Sequence, residues 1–229
     1  MFASVFSAAI SGMEVHLIKV EADVSDGLPS FTMVGLPSTQ VKEAQDRVRT
    51  ALKNNGIALP PKRITVNLAP ADIRKEGAGF DLPLAAAVLA AAGVLSAEQL
   101  GNVMMAGEIG LNGEIHAVSG ILPMIIRARE EKCRFCVVPY DNLKEAHLIP
   151  DMKVIGVADL QEMIRYVSAP DSYKKAVETG KKSPQENSVD FCEIHGQESL
   201  KRAVEIAVSG FHNLLMIGPP GAGKTMIAR

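Results

Sequence analysis

The residues with the sharpest chemical meaning are Gly218, Pro219, Pro220, Gly221, Ala222, Gly223, Lys224 and Thr225. They satisfy G-x-x-x-x-G-K-[ST] at every fixed position. In that pattern glycines let backbone N–H groups turn inward around a phosphate, the lysine reaches the β- and γ-phosphates, and the hydroxyl after it ligands Mg²⁺. Lys224 and Thr225 would take those two roles, with ATP and Mg²⁺ as cofactors and Thr225 as the metal ligand. The apolar run Asn213 to Ile217 reads as a strand leading into the loop, and helix-compatible residues follow it. Holding a phosphate is not splitting it. Hydrolysis also needs a residue that orients water, an acid behind the metal and an arginine from elsewhere. The sequence reaches Arg229 before any of these, so the expectation is a piece of a longer chain with no catalytic residue of its own.

Other constellations carry less. Cys133 and Cys136 have C-x-x-C spacing, but no second pair lies nearby and Cys136 enters an apolar run, so packing is the expected role. The five histidines are scattered. Glu108 and Glu114 straddle a turn, where a solvated or ion-paired edge is expected rather than acid–base work. One charge imbalance stands out. Between Lys42 and Lys75 there are eight basic residues against three acids, Glu43, Asp46 and Asp72. Arg47, Arg49, Lys62 and Arg63 are the candidate contacts to nucleic acid, through phosphates rather than base edges. A surface for a neighbouring subunit and a plain solvated face are the alternatives.

The elements that must position these residues belong to a chain of 229 residues, room for one generous domain or one domain and part of another. A formal charge of -2 gives no global pull toward nucleic acid. Aromatics make up 4% and Trp is absent, which argues against a base-stacking surface. Three cysteines, an odd number and widely spread, fit a reducing cytosol and a cytoplasmic protein. No membrane segment is expected: "MFASVFSAAI" lacks a basic start, and the apolar run Leu82 to Leu95 is shorter than the roughly 20 residues of a span.

Periodicity gives a mixed α/β (α+β) order. In "MEVHLIKVEADV" the apolar phase flips between Leu17 and Ile18, which predicts either a bulge or a strand buried on both faces. "FTMVG" reads as a strand. Ser38 or Thr39 caps a helix with Val41, Ala44, Val48, Ala51 and Leu52 on one face and Asn55-Gly56 at its end. "RITVNL" is a buried strand, and Asp81 is expected to cap the helix through "LPLAAAVLAAAG". "MAGEIGLNGEIHAV" reads as a hairpin with a type I′ turn at Asn112-Gly113. A helix over Ile121 to Glu131, a strand "FCVVP", a short helix near Asn142 to Ala146, a strand "KVIGV" and a helix over Leu160 to Val167 follow. Residues 168–190 read as a linker between a domain over 1–167 and a second over 191–229, which opens with an amphipathic helix closed by Gly210.

With these stretches laid out, a resemblance becomes specific. "GQESLKRAVEIAVSGFHNLLMIGPPGAGKT" resembles the opening of the AAA+ module of Mg chelatase-like ATPases. "GLPSTQVKEAQDRVRTALKNNG" and "PKRITVNLAPADIRKEGAGFDLPLA" resemble signature stretches of the ComM/YifB family within that group. The resemblance implies an N-terminal domain of the ribosomal S5 domain 2-like fold, shared with the Lon protease domain, then the truncated start of a P-loop AAA+ domain. It places Gly196 and Gln197 near the adenine, and implies a hexameric ring that drives DNA branch migration when transforming DNA recombines. A subunit of a metal-inserting chelatase and a bare interaction module are the rival readings. Peptidase activity is not expected. Laid on the Lon serine and lysine loops, the sequence puts Gly79 where the nucleophile should be and Leu122 where the base should be.

Overall fold

Residues 2–25 fold back on themselves as two strands, β1 (Phe2–Ser11) and β2 (Glu14–Ser25), in antiparallel register from Phe2↔Asp23 to Ser11↔Glu14 without a break. The phase flip in β2 therefore comes from burial on both faces, not from a bulge. Ile18, Val20, Ala22 and Val24 enter a large core on one side of the sheet. Val15 and Leu17 pack against a second core on the other. The computed structural model describes residues 1–173, 194–219 and 221–228. The chain divides into two units, Met1–Lys175 and Ala176–Arg229.

In the first unit β3 (Ser30–Val34) leads through α1 (Thr39–Asn54) to β4 (Arg63–Ala69), which lies parallel to β3 and antiparallel to β2. The Ser38 hydroxyl accepts from Val41 N–H at 3.4 Å, and the Asn55 N–H closes the other end, so both expected caps form. A 3₁₀ turn, Ala78–Phe80, opens into α2 (Asp81–Ala91), all of whose residues are buried. After α3 (Ala97–Leu100) come β5 (Val103–Met105), the two-stranded hairpin β6 (Glu108–Ile109) and β7 (Ile115–His116), and α4 (Ile121–Glu130). Then β8 (Phe135–Pro139), α5 (Leu143–Ala146), β9 (Val154–Val157) and α6 (Leu160–Ser168) complete the unit. The seven-stranded sheet runs β3-β4-β2-β1-β5-β8-β9 and is mostly parallel. Residues of α1, α2 and α6 fill the core on one face, and α4 and α5 supply the core on the other.

Three expectations are corrected. Asp81 does not cap α2: Phe80 holds the cap position, and the Asp81 carboxylate is taken by Arg47 at 2.8 and 2.9 Å. A guanidinium fork offers a carboxylate more than one orphan amide does. The hairpin turn is not type I′, because only Gly113 has a positive φ, 91°. Gly113 N–H closes a four-residue turn on the Gly110 carbonyl at 2.9 Å. Asn54 and Asn55 at the end of α1 donate to the carbonyls of Leu111 and Asn112, which fixes the turn from outside. Finally, Asn213 to Ile217 is not a strand. No described strand lies beside it, and Leu215 and Ile217 stay 83% and 89% exposed.

The second unit holds α7 (Glu198–Ser209), with Gly210 after it, and α8 (Lys224–Ile227). The expected linker lies mostly outside the described residues. Its first part makes a 3₁₀ turn, Pro170–Ser172, and Tyr173 packs edge-on against Tyr166 at 5.1 Å.

One fully buried cation ties the end of β3 to the loop after β4. Lys75 donates from Nζ to the Gly35 carbonyl at 2.9 Å and to the Pro70 carbonyl. Its backbone also bonds Leu36 and Ser38. Lys75→Met keeps the stem and strands both carbonyls, so the account predicts a loss of about 1–3 kcal/mol in urea unfolding; an unchanged midpoint contradicts it. In β8, Cys136 is fully buried and its thiol is pushed far above the usual range by desolvation. Iodoacetamide at pH near 8 should leave Cys136 unlabelled in the native chain and label it in urea. Rapid native labelling would show that the second core is open.

Candidate nucleotide-binding loop and basic surface

The loop at 218–225 closes around its own lysine. Lys224 Nζ donates to the carbonyls of Gly218 and Pro219, each at 2.7 Å, and Ala222 N–H reaches the Pro219 carbonyl at 3.3 Å. Gly221 and Gly223 have φ of 81° and 79°, a backbone that side chains disfavour, and a Cβ at either would meet nothing within 4 Å. Gly223 then accepts from Met226 and Ile227 N–H and starts α8. Thr225 is exposed, with no hydrogen-bond partner among the described residues. An ammonium satisfied only by two loop carbonyls, an unengaged hydroxyl beside it, and open space over two glycines together fit a phosphate with its Mg²⁺. Pro220 lies outside the described residues.

Gly196 and Gln197 are consecutive left-handed residues, φ 71° and 61°, immediately before α7. The Gln197 carbonyl accepts from Leu200 and Lys201 N–H. Ile194, just ahead of them, shares a small buried cluster with Val204 and Ile227, and Leu200 and Met216 pack against it. The segment carrying Gly196 and Gln197 and the two segments flanking the loop therefore meet in one set of apolar contacts.

The basic stretch does not stay together. Arg47 is already engaged: its guanidinium, 24% exposed, pairs with Asp81, whose side chain is fully buried, lies 3.7 Å from Glu43 and donates to the Gln40 carbonyl. Burial pushes the Asp81 carboxyl up, and the Arg47 guanidinium and Ile109 N–H at 3.2 Å pull it back. Asp81 in turn raises Arg47. Lys75 is internal as well. Lys62 pairs with Asp26 at 2.9 Å, and Arg74 with Glu76 at 2.8 Å. Arg49, Lys53 and Arg63 have no ion-pair partner among the described residues. Arg49, Lys53 and Lys62 border one groove, with Lys53 the member that sequence reading did not single out. Its signal was there in the spacing: Arg49 and Lys53 are one helical turn apart on α1.

Gly79 lies in the 3₁₀ turn with its carbonyl bonded to Gly107 N–H at 3.0 Å, and Leu122 is the second residue of α4. Burial raises both Cys133 and Cys136, which keeps the thiols protonated. Among the described residues no group of His, Cys, Asp and Glu could hold a metal ion. Among them also, no helix is long and apolar enough to cross a membrane.

Comparison with known proteins agrees with this picture. The family model described as subunit ChlI of Mg-chelatase matches residues 20–142, and that of magnesium chelatase, subunit ChlI, matches residues 190–229. The chain is 43% identical over 230 residues to competence protein ComM of Haemophilus influenzae, covering 99% of this chain and 45% of that protein. It is 42% identical to YifB of Escherichia coli, covering 98% and 44%. Lon protease 2 of Bacillus subtilis is 27% identical over 128 residues, 55% of this chain and 22% of that protein. The chain thus spans a little under half the length of the ComM and YifB relatives. A match over more than half of its residues to the chelatase subunit, joined to end-to-end similarity with ComM and YifB, means that the chain belongs to the ComM/YifB family of Mg chelatase-like proteins.

Proposed function

We propose that this chain is the amino-terminal part of an ATP-driven AAA+ motor that remodels DNA as a hexameric ring in the cytoplasm, in the manner of a branch-migration helicase. The first unit is then a Lon-like domain of the S5 domain 2-like class without peptidase chemistry, and the second begins the nucleotide-binding module. The observation that carries the reading is the 218–225 loop wrapped around Lys224 with open space over Gly221 and Gly223. When ATP and Mg²⁺ bind, they supply the phosphate charge and the metal. This chain's part is to hold and orient: Lys224 exchanges two carbonyls for phosphate oxygens, Thr225 offers its hydroxyl to the metal, and Gly196 and Gln197 border the base. Similarity to a competence protein supports DNA as the partner. We do not assign the DNA contacts to Arg49, Lys62 and Arg63. With Arg47 engaged by Asp81 and Lys75 buried, Arg49, Lys53 and Lys62 rim an apolar groove, and Arg63 is not part of its lining, so these cations do not form one strip matched to a phosphate backbone.

In the longer protein, Lys224→Ala should abolish ATP turnover, because the ammonium is a large share of the charge neutralisation at the phosphates. This chain alone should bind ATP feebly in calorimetry, since Asn213 to Ile217 does not sit in a sheet that would hold the loop. Micromolar affinity that survives Lys224→Ala would remove the loop from the account.

A further inference from the structure

The seven-stranded sheet has two edges, and the chain treats them differently. At β9 every residue is buried, and the following turn closes over the strand: Gly156 N–H donates to the Tyr173 hydroxyl at 3.2 Å, and Lys153 pairs with Asp171 at 2.7 Å. At β3 nothing comparable happens. Among the described residues β4 is its one strand partner, and no helix or loop hydrogen-bonds to Ser30–Val34. Natural edges are blunted by charge, proline within the strand, bulges or cover. This one has none of these. Residues 27–41 contain no Asp, Glu, Lys or Arg in a chain that is 22% charged. Leu28, Val34 and Leu36 are 83%, 45% and 56% exposed along it.

Beside the start of β3 lies a groove of about 440 Å³. Its walls are Pro29 to Phe31, the α1 side chains Arg49 and Lys53, the loop from Ile57 to Lys62, and Ile64. The floor is apolar, with Phe31 and Ile64 on the side of the sheet that faces the larger core. Arg49, Lys53 and Lys62 form its rim and no acid lines it, though Lys62 is paired with Asp26 at 2.9 Å. Arg49 and Lys53 are exposed, one turn apart, and without an acidic partner among the described residues. Two like charges at that spacing repel each other, a cost that an anion between them would relieve.

We infer that the free edge of β3 and the adjoining groove accept an extended acidic segment of a partner protein, which adds as a strand to β3, places an apolar side chain beside Phe31 and sets its carboxylates against Arg49 and Lys53. Strand addition satisfies the free backbone groups of β3, and alternate side chains of the added strand fall on the α1 side of the sheet, where the groove is. Charge complementarity selects the acidic partner and rejects a basic one. The groove carries no aromatic ring besides Phe31, so it offers a nucleic acid no stacking series.

The test uses this chain and a short fluorescein-labelled peptide alternating Glu or Asp with Phe, Ile and Val. Companion probes are the same peptide with Lys for every acid, the acidic peptide N-methylated on alternate amides, and oligothymidylate. The acidic peptide should bind in fluorescence anisotropy and slow hydrogen exchange at the amides of Ser30–Val34. The lysine and N-methyl versions should not bind. The surface variant Arg49→Glu with Lys53→Glu should weaken the acidic peptide by at least about tenfold, with an unchanged circular dichroism spectrum. Lys224→Ala should leave binding untouched, which separates this site from the nucleotide loop. No binding by the acidic peptide overturns the proposal. So does equal binding of the N-methyl or lysine peptide, unchanged affinity in the double variant, or tighter binding of oligothymidylate displaced by the same two substitutions, which would make the groove a nucleic-acid site.

Discussion

The ion pair between Arg47 and Asp81 sets the arrangement around which the first unit is built. α2 is apolar on every side, so its hydrophobic pattern gives it no preferred rotation against the sheet. Its one charged residue does. Asp81, with no exposed surface, meets Arg47 of α1 in a two-pronged contact and takes the Ile109 N–H of β6 on the same carboxylate. Three elements are fixed at one point. A buried pair of this kind adds little net stability against an apolar substitute, because desolvating the charges offsets their attraction. Its effect lies in disfavouring the other ways in which a helix apolar on every side could sit.

Lys75 is the companion constraint, and together the two bracket a stretch with an instructive relationship to chemistry. Lys75 and Asp81 both lie within residues 74–83, the stretch that, laid on a Lon-type peptidase, would carry the nucleophile. In this chain Lys75 is spent on the carbonyls of Gly35 and Pro70, Asp81 on Arg47, and Gly79 has no side chain. The polar residues of this stretch hold structure together. The loop proposed to hold phosphate lies elsewhere, closed around Lys224.

Much of this could be read from the residues because the physics involved is local. Ser38 and Asn55 bound α1 by hydrogen bonds to their own helix, and the two apolar phases of β2 record two cores. The glycines and lysine of 218–225 announce their loop for the same reason. What escaped depends on the third dimension. β5 is three residues long and wholly buried, so it shows no alternation, and with the hairpin read from Met105 onward Val103 and Met104 carry no strand signal of their own. Arg47 and Arg49 are the same residue type two positions apart; one faces a buried carboxylate and the other faces water, which depends on the position of α2 and not on their neighbours in sequence. The apolar run Asn213 to Ile217 has strand character, but strand structure needs a partner that the described residues do not include.

A double-mutant cycle on Arg47 and Asp81 tests the central claim, that the charges around this segment are architectural, most directly. With Arg47→Met and Asp81→Leu measured singly and together by urea unfolding, Arg47→Met should cost about 3–5 kcal/mol, since it leaves the Asp81 carboxylate buried without its partner, and Asp81→Leu should cost less, since Arg47 is 24% exposed and keeps Glu43 and the Gln40 carbonyl. The pair together should recover most of that loss, a coupling far outside additivity. Additive losses, or an Arg47→Met variant as stable as the parent chain, would contradict the account and return Arg47 to the surface as a residue free to meet a ligand.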